Sequence, residues 1–452
     1  MQESRFDKEK MMEKQLTKVS ETAKQVREIP DHWSWIEPSV WTDRMLFALE
    51  RGVKGDKWFS LIDKVYRLST LEAAFKAVKR NKGAAGVDKE SIERFRRHKD
   101  EKLQKLSELL ITDRYHPQAV KRVWIDKPGR KNEQRPLGIP TVRDRVVQTA
   151  LRMVIEPIFE KDFAKHSYGF RPKSGCKDAL RQVWKLYTSG YRYVLDADLK
   201  GYFDTIDHDM LMEMIAEKIA DSRVLFLINQ YLNQEVLDTS KRWKPERGTP
   251  QGAVISPLLA NIYLNPLDHQ MSEQGFQMVR YADDFVIMCK SQEKAEEALR
   301  QVKDWCEGMK LTLHPEKTKV VDSQKEEFVF LGYKFKNGRK YVSEKSKVRF
   351  RDSIRPYTKR ANGHSMEKII QLINPKIRGW HEYYKHAYKN EAVNMDQWVR
   401  GRLRSILRKR AGRKGRARGA DHQRYRIVYF HELGLFSMVE NRKIAVAKAR
   451  SR

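Results

Sequence analysis

The sequence predicts an α+β fold divided into two to four subdomains, and three observations carry that expectation. At 452 residues the chain exceeds what one hydrophobic core usually serves. Short segments of alternating polarity are interleaved with longer segments of helical period. Beyond about residue 345 the character changes to helix rich in cations and aromatics.

Charge narrows the partners. Lys and Arg total 91 against 60 Asp and Glu, a formal charge of +31. Such an excess speaks about partners rather than folding, and nucleic acid is the commonest large polyanion. A membrane partner is not expected, because no apolar run approaches the roughly 18 residues that span a bilayer. The charged start Met1–Lys8 lacks the apolar core of a signal peptide. Three cysteines (Cys176, Cys289, Cys306), none in a CxxC pair, argue against a disulfide framework and a cysteine-rich zinc site. A reduced, cytoplasmic, nucleic-acid-facing protein is expected.

In chain order, residues 1–30 are highly charged and carry no motif. Four tryptophans (Trp33, Trp35, Trp41, Trp58) then mark a segment packed on something else. Helical period runs from Leu61 through Val78 and ends in the basic turn Lys79–Gly86. That turn resembles a phosphate loop only faintly, since no Lys-Ser/Thr follows Gly86. Asp88 opens a further helix containing Ile92 and Phe95. Arg122–Lys127 alternates like a strand, Pro128-Gly129 turns it, and Arg135–Pro140 returns as a second extended segment before the helix Val142–Ile155. Lys127 and Arg135 on such a hairpin are either solvated cations or a clamp on a triphosphate or template backbone.

Ser167-Tyr168-Gly169-Phe170-Arg171-Pro172 is irregular, aromatic and basic, and precedes the helix Ala179–Leu186. The strand Tyr191–Leu199 places Asp196 and Asp198 on one face, and acids at a strand end suit a metal-bound site. Asp207 and Asp209 have the character of helix caps. Gly248–Gly252, with Gln251, breaks the chain before the helix Ile255–Leu264, whose early Pro257 is well placed. Next come Met278–Tyr281, Ala282-Asp283-Asp284 and Phe285–Met288, read as strand, turn, strand with both acids at the tip. A turn can aim both into one cleft, where paired carboxylates call for a hard cation such as Mg²⁺. An amphipathic helix Ala295–Met309, a loop bearing Lys317, and a strand Phe328–Phe335 with a bend at Gly332 follow. His381-Glu382 with His386 imitates a zinc-protease motif but is one residue too long for the i, i+4 pair. Arg400–Arg418 holds ten Lys or Arg in nineteen residues, a density that suits phosphate.

The order of these segments resembles the polymerase motif series of a reverse transcriptase: Asp198, then Pro250-Gln251-Gly252, then Tyr281-Ala282-Asp283-Asp284, then Lys317 and Leu331-Gly332. Arg135–Pro140, Ser167–Pro172 and the Tyr-Ala-Asp-Asp form of the hairpin narrow the resemblance to group II intron-encoded reverse transcriptase/maturases. It spans Leu71 to Ala387 and continues more weakly through Gly434–Ser437. The resemblance implies a right-hand polymerase of fingers, antiparallel palm sheet and helical thumb, with a small basic C-terminal domain. The corresponding divisions are an N-terminal extension (1–70), fingers (71–190 and 223–265), palm (191–222 and 266–345), thumb or maturase domain X (346–412) and a DNA-binding-like C-terminal region (413–452).

It further implies an RNA-directed DNA polymerase that extends a DNA primer on an RNA template by two-metal transfer, with Mn²⁺ a possible substitute for Mg²⁺. Ligands would be Asp198, Asp283, the backbone carbonyl of Leu199 and, more peripherally, Asp284. Lys127 and Arg135 align with cations gripping the dNTP triphosphate, Gln251 with a residue near nucleotide and template, and Phe203 with the aromatic that excludes a 2′-hydroxyl. Lys317 stands where the family places a general acid. Arg171, Arg378, Trp380, Arg408, Lys409, Arg410, Arg413 and Lys414 are expected to face nucleic acid: group II intron RNA, the template–primer duplex and target DNA. The zinc-containing endonuclease of longer members is not expected here, so primer would come from elsewhere, such as a nascent strand at a replication fork. A stand-alone reverse transcriptase in defence or repair and a non-catalytic splicing cofactor are the alternative readings. Retention of the repelling carboxylates argues against the second.

Overall fold

In the computed structural model, residues 31–126, 134–239 and 241–442 are described. Their strands are β1 (Val120–Asp126), β2 (Gln134–Ile139), β3 (Tyr193–Asp198), β4 (Val236–Asp238), β5 (Lys241–Trp243), β6 (Gln277–Tyr281), β7 (Asp284–Cys289), β8 (Lys319–Asp322), β9 (Phe328–Phe330), β10 (Tyr333–Lys336) and β11 (Arg339–Val342). They form three sheets, in the orders β2-β1-β4-β5, β6-β7-β3-β8 and β11-β10-β9. The mixed α and β character follows the expectation, and the sheet β6-β7-β3-β8 is antiparallel throughout.

That palm sheet is buried on both faces, which explains the unbroken apolar run Phe285–Cys289 in β7. Period-2 alternation sorts its side chains between two cores. Leu195, Ala197, Phe285 and Ile287 join the helix Gln292–Gly308 through Ala295, Ala298 and Val302. Val194, Val279, Val286 and Met288 instead meet Ala179 and Val183 of the helix Cys176–Thr188, together with Phe328 and Phe335.

Several elements differ from expectation for identifiable reasons. The helical period from Leu61 breaks at Arg67, whose ψ of 131° separates Ile62–Tyr66 from Leu68–Asn81. The next helix opens at Ile92 rather than Asp88, because Ser91 supplies the cap by accepting from Arg94 N. Asp88 serves the preceding turn and accepts from Glu90 N. The strand expected over Phe328–Phe335 is two antiparallel strands, with Leu331 and Gly332 both at positive φ in the turn between them. The helix Ser256–Glu273 runs on past Leu264 and through Pro266, since burial of Leu267 and Met271 outweighs the missing hydrogen bond. The turn Pro128-Gly129 lies outside the described residues.

The tryptophan-rich segment belongs to the main core. Trp33, Trp41 and Leu61 share one cluster with the helix Val142–Glu160 and with palm residues as far as Leu311. Trp41 Nε1 donates to Met153 O at 3.0 Å, and Trp58 exchanges backbone hydrogen bonds with Lys218 and Ala220. A second core gathers Phe350, Ile369, Ile373, Met395 and Leu403 of the thumb helices with Phe430, Leu435 and Met438. Among the described residues, no separate core marks the division expected at residue 413.

Asp221 joins the N-terminal segment to the helix Ser222–Leu232, which it caps. One carboxylate oxygen accepts from Leu61 N and Ile62 N at 2.7 and 2.9 Å, and the other caps Arg223 N and Val224 N. Asp221→Ala should therefore lower stability by about 2 kcal/mol. Urea unfolding would measure this, and a loss under about 0.5 kcal/mol would contradict the assignment.

Candidate active site

The hairpin of β6 and β7 forms as expected, with Tyr281 paired to Asp284 and the turn made by Ala282 and Asp283. Ala282 takes a φ of 61°, a left-handed conformation that its small side chain tolerates. On the other edge of β7, Asp284 is register partner to Asp198 of β3. Two acids are thus set side by side by sheet register and the third by the turn.

What holds the turn is Arg280, a guanidinium with no solvent exposure. It donates to both carboxylate oxygens of Asp268, to Asn261 Oδ1 at 3.0 Å and to the carbonyl of Ala282 at 2.9 Å. Asn261 Nδ2 in turn donates to Gly169 O at 2.8 Å. The Ser167–Pro172 segment lies along β6, with Tyr168 N donating to Arg280 O and Arg280 N to His166 O. Gly169 is required there, since a Cβ would stand 2.1 Å from Ala282 N. Reading the sequence alone missed Arg280, Asp268 and Asn261; the available signal was an arginine inside an apolar strand.

Asp196, Asp198, Asp283 and Asp284 are all half-buried. Burial chiefly, then the charges of Asp196, Asp283 and Asp198, pushes Asp284 up to about 7. Burial likewise raises Asp283, and lifts Asp196 to about 6. Lys317 Nζ lies 2.5 Å from Asp198 Oδ2. Its loop is tied to the same residue by His314 N donating to Asp198 O at 2.7 Å.

A divalent cation fits beside Asp283 and Asp284, because hard carboxylate oxygens whose pKa burial has raised are relieved by a bound positive charge. Among the described residues, no three His, Cys, Asp or Glu side chains converge as a complete metal cage.

Other expected residues approach the same cleft. Phe203 is half-buried beside Phe170 and Tyr202, at ring distances of 6.4 and 5.6 Å. Its carbonyl accepts from Thr249 N, which brings the Pro250–Gly252 loop alongside. Gln251 O accepts from Gly138 N at 2.6 Å, closing that loop onto β2. Gly252, at φ 105°, permits this approach, since a Cβ would meet Gly138 O at 2.5 Å. Leu199 is buried and bridged to Leu313. Arg135 is exposed on β2 opposite Ile125, and Lys127 lies outside the described residues.

The residues expected to face nucleic acid divide in two. Arg171 forks onto Glu160 and donates to Ala164 O and Ser167 O, so its donors are spent on shaping the 167–172 segment. Arg408 binds Asp421 and Lys414 O, and Arg410 binds the carbonyls of Asn362 and His364. Trp380 packs 5.0 Å from both Phe350 and Tyr384 and lines a cleft of about 300 Å³ with Arg349 and Lys376. Arg378, Lys409, Arg413 and Lys414 are exposed; Arg378 lies over Phe436, and Arg413 stands 3.8 Å from Asp421.

The chain is similar to several known proteins. A model for "Reverse transcriptase (RNA-dependent DNA polymerase)" matches residues 125–335, and one for "Group II intron, maturase-specific domain" matches residues 347–425. Protein YkfC of Escherichia coli is 35% identical over 274 residues, which cover 51% of this chain and 70% of that protein. Group II intron-encoded protein LtrA of Lactococcus lactis is 40% identical over 197 residues, 43% of this chain but 32% of LtrA. Among solved structures, a chain of a Cas6-RT-Cas1–Cas2 complex aligns at 23% identity and a TM-score of 0.36, over 55% of this chain and 42% of that one.

The raised acid yields a pH test. A carboxyl whose folded pKa exceeds its unfolded value keeps its proton longer when folded, so stability is lost as pH rises from one value to the other. For Asp284 that window runs from 3.8 to about 7. In metal-free protein above this window, Asp284→Asn should be more stable than the parent by roughly 2–4 kcal/mol, and the gap should shrink below it. Urea midpoints in chelator across pH would show this; parallel profiles would refute it.

Proposed function

The chain belongs to the family of group II intron-encoded reverse transcriptase/maturases, with a reverse transcriptase domain ahead of a maturase-specific domain, and from that premise we propose how it acts. The palm carboxylates extend a DNA primer on an RNA template, and the same chain grips a group II intron RNA to assist its splicing and its insertion into target DNA. The observation that carries the polymerase reading is the register partnership of Asp198 with Asp284, beside Asp283 and within reach of Lys317. The maturase-specific match favours an intron RNA partner over a stand-alone enzyme of defence or repair.

Asp198 and Asp283 would hold two Mg²⁺ ions, with Asp284 more peripheral and the Leu199 carbonyl as a further ligand. Bound there, the ions would acidify the primer 3′-hydroxyl and neutralise the triphosphate and departing pyrophosphate, a chemistry Mn²⁺ can also supply. The chain's own groups do the rest. Arg135 and Lys127 grip the triphosphate from the β1–β2 hairpin. Gln251 borders the incoming nucleotide and template. Lys317 releases Asp198 and gives a proton to the leaving pyrophosphate. Phe203 fills the space a ribose 2′-hydroxyl would need. Arg378, Lys409, Arg413 and Lys414 meet RNA and DNA phosphates, while Arg171, Arg408 and Arg410 shape the surfaces beneath them. Among the described residues, no helix is long and apolar enough to cross a membrane. A cytoplasmic, nucleoid-associated location suits a DNA target.

Asp283→Ala should reduce Mg²⁺-dependent cDNA synthesis by on the order of a thousandfold or more while leaving RNA affinity intact; primer extension at parental rate would overturn the assignment. Phe203→Ala should admit ribonucleotides. Incorporation assays with rNTP and dNTP in competition would read the change, and unaltered discrimination would place the sugar gate elsewhere.

A further inference from the structure

The fingers sheet β2-β1-β4-β5 leaves an aromatic face uncovered. Trp124 of β1 and Trp243 of β5 are 48% and 36% exposed, high values for the largest apolar side chain. Arg122 stands between them, its guanidinium 4.7 Å from the Trp243 ring centre and 5.9 Å from that of Trp124. Register explains the grouping. Arg122 and Trp124 are alternate residues of one strand and share a face. Trp243 pairs with Val236, which pairs with Val120, two residues before Arg122 on that same face. Trp124 Nε1 donates to Asp238 Oδ2 at 3.1 Å, which fixes the plane of the indole.

This face looks toward the cleft. Arg122 is register partner to Gly138, which abuts Pro250 and the carbonyl of Gln251. The positive charge of Arg122 also acts on Asp204, the neighbour of Phe203. On the Trp243 face of β5, Lys241 is exposed, and the exposed Lys244 follows the end of that strand. Cross-strand packing accounts for the contacts with Arg122 but gives no reason for the outer ring faces to stand in water. Flat rings interleaved with a guanidinium and flanked by a lysine are what stacks unpaired bases while neutralising the phosphates between them.

We propose that Trp124, Arg122 and Trp243 form a stacking platform for the unpaired bases of a nucleic-acid strand on its way into the cleft. The proposal rests on the polymerase reading for the strand's identity as template, but concerns residues that the reaction itself does not use. It predicts a preference for a primer duplex with a single-stranded 5′ template overhang over a blunt duplex, arising from bases rather than from phosphates alone.

The test measures binding of the full chain to both duplexes in chelator without nucleotides, so that it is independent of catalysis. Trp124→Ala and Trp243→Ala should each weaken binding of the overhang duplex by about tenfold and leave blunt-duplex binding unchanged. Trp243→Phe, which keeps a ring, should retain most of the preference. For the parent protein, an overhang of abasic residues should bind no better than a blunt end, a result that needs no variant to fold. Equal losses on both duplexes, an undiminished preference in the alanine variants, or an abasic overhang that binds as well as a normal one would each overturn the platform. So would self-association of the parent chain that the alanine variants abolish, since the face would then be a protein interface. Primer extension by the parent with metal and dNTPs, run alongside, separates failure of the platform from failure of the polymerase reading.

Discussion

Arg280 carries a full positive charge at a place water does not reach, and the geometry of the acidic hairpin depends on how that charge is satisfied. An isolated guanidinium in such a setting is strongly disfavoured. Here Asp268 neutralises it with a forked pair, and the remaining donors go to Asn261 and to the carbonyl of Ala282. Removing one partner of such a pair leaves the other buried and alone, at a loss of about 3–5 kcal/mol. An apolar pair of the same volume would fill the space, yet would offer nothing to the carbonyl in the turn. The ion pair therefore serves orientation more than stability: it reaches from the helix Ser256–Glu273 through β6 to the turn between two acids, and Asn261 extends the reach to Gly169.

The site is assembled from three separate stretches of chain, around residues 198, 284 and 317. Register sets Asp198 against Asp284, a turn sets Asp283, and a loop anchored on the backbone of Asp198 delivers Lys317. The neighbouring carboxylates raise one another because burial removes the solvent that would otherwise screen them. The lysine is the nearest counter-charge to Asp198, so the cleft without metal is a partly compensated site rather than a bare cluster of acids.

Much of this was legible in the residues. Alternation exposed β1, β3 and the hairpin, and the spacing of apolar residues exposed the helices Val142–Glu160 and Gln292–Gly308. The motif order pointed to Asp198, Asp283 and Lys317 before any geometry was known. Other features depend on tertiary context that local pattern does not encode. Arg171 has the composition of an RNA contact, but only the fold shows Glu160 and two carbonyls occupying its donors. Arg408 and Arg410 sit in a basic run and yet turn inward to Asp421 and to two backbone carbonyls. The tryptophans before residue 60 announced packing without naming a surface; the surface is the helix Val142–Glu160 together with the Lys218–Ala220 turn. At Leu331-Gly332 the residues suggest only a bend, whereas the pairing of β9 with β10 makes the chain reverse there.

The contact between Gly169 and Ala282 bears on how such a protein can vary. A side chain at position 169 would collide with the backbone nitrogen of residue 282 and not with its side chain. No replacement at 282 removes a backbone atom, so no second substitution there can rescue the first. Two segments more than a hundred positions apart are thus bound by a constraint that leaves no correlated pair of changes behind it. Across relatives, position 169 would read as an isolated fixed glycine with no co-varying partner, although what fixes it is the turn beside Asp283.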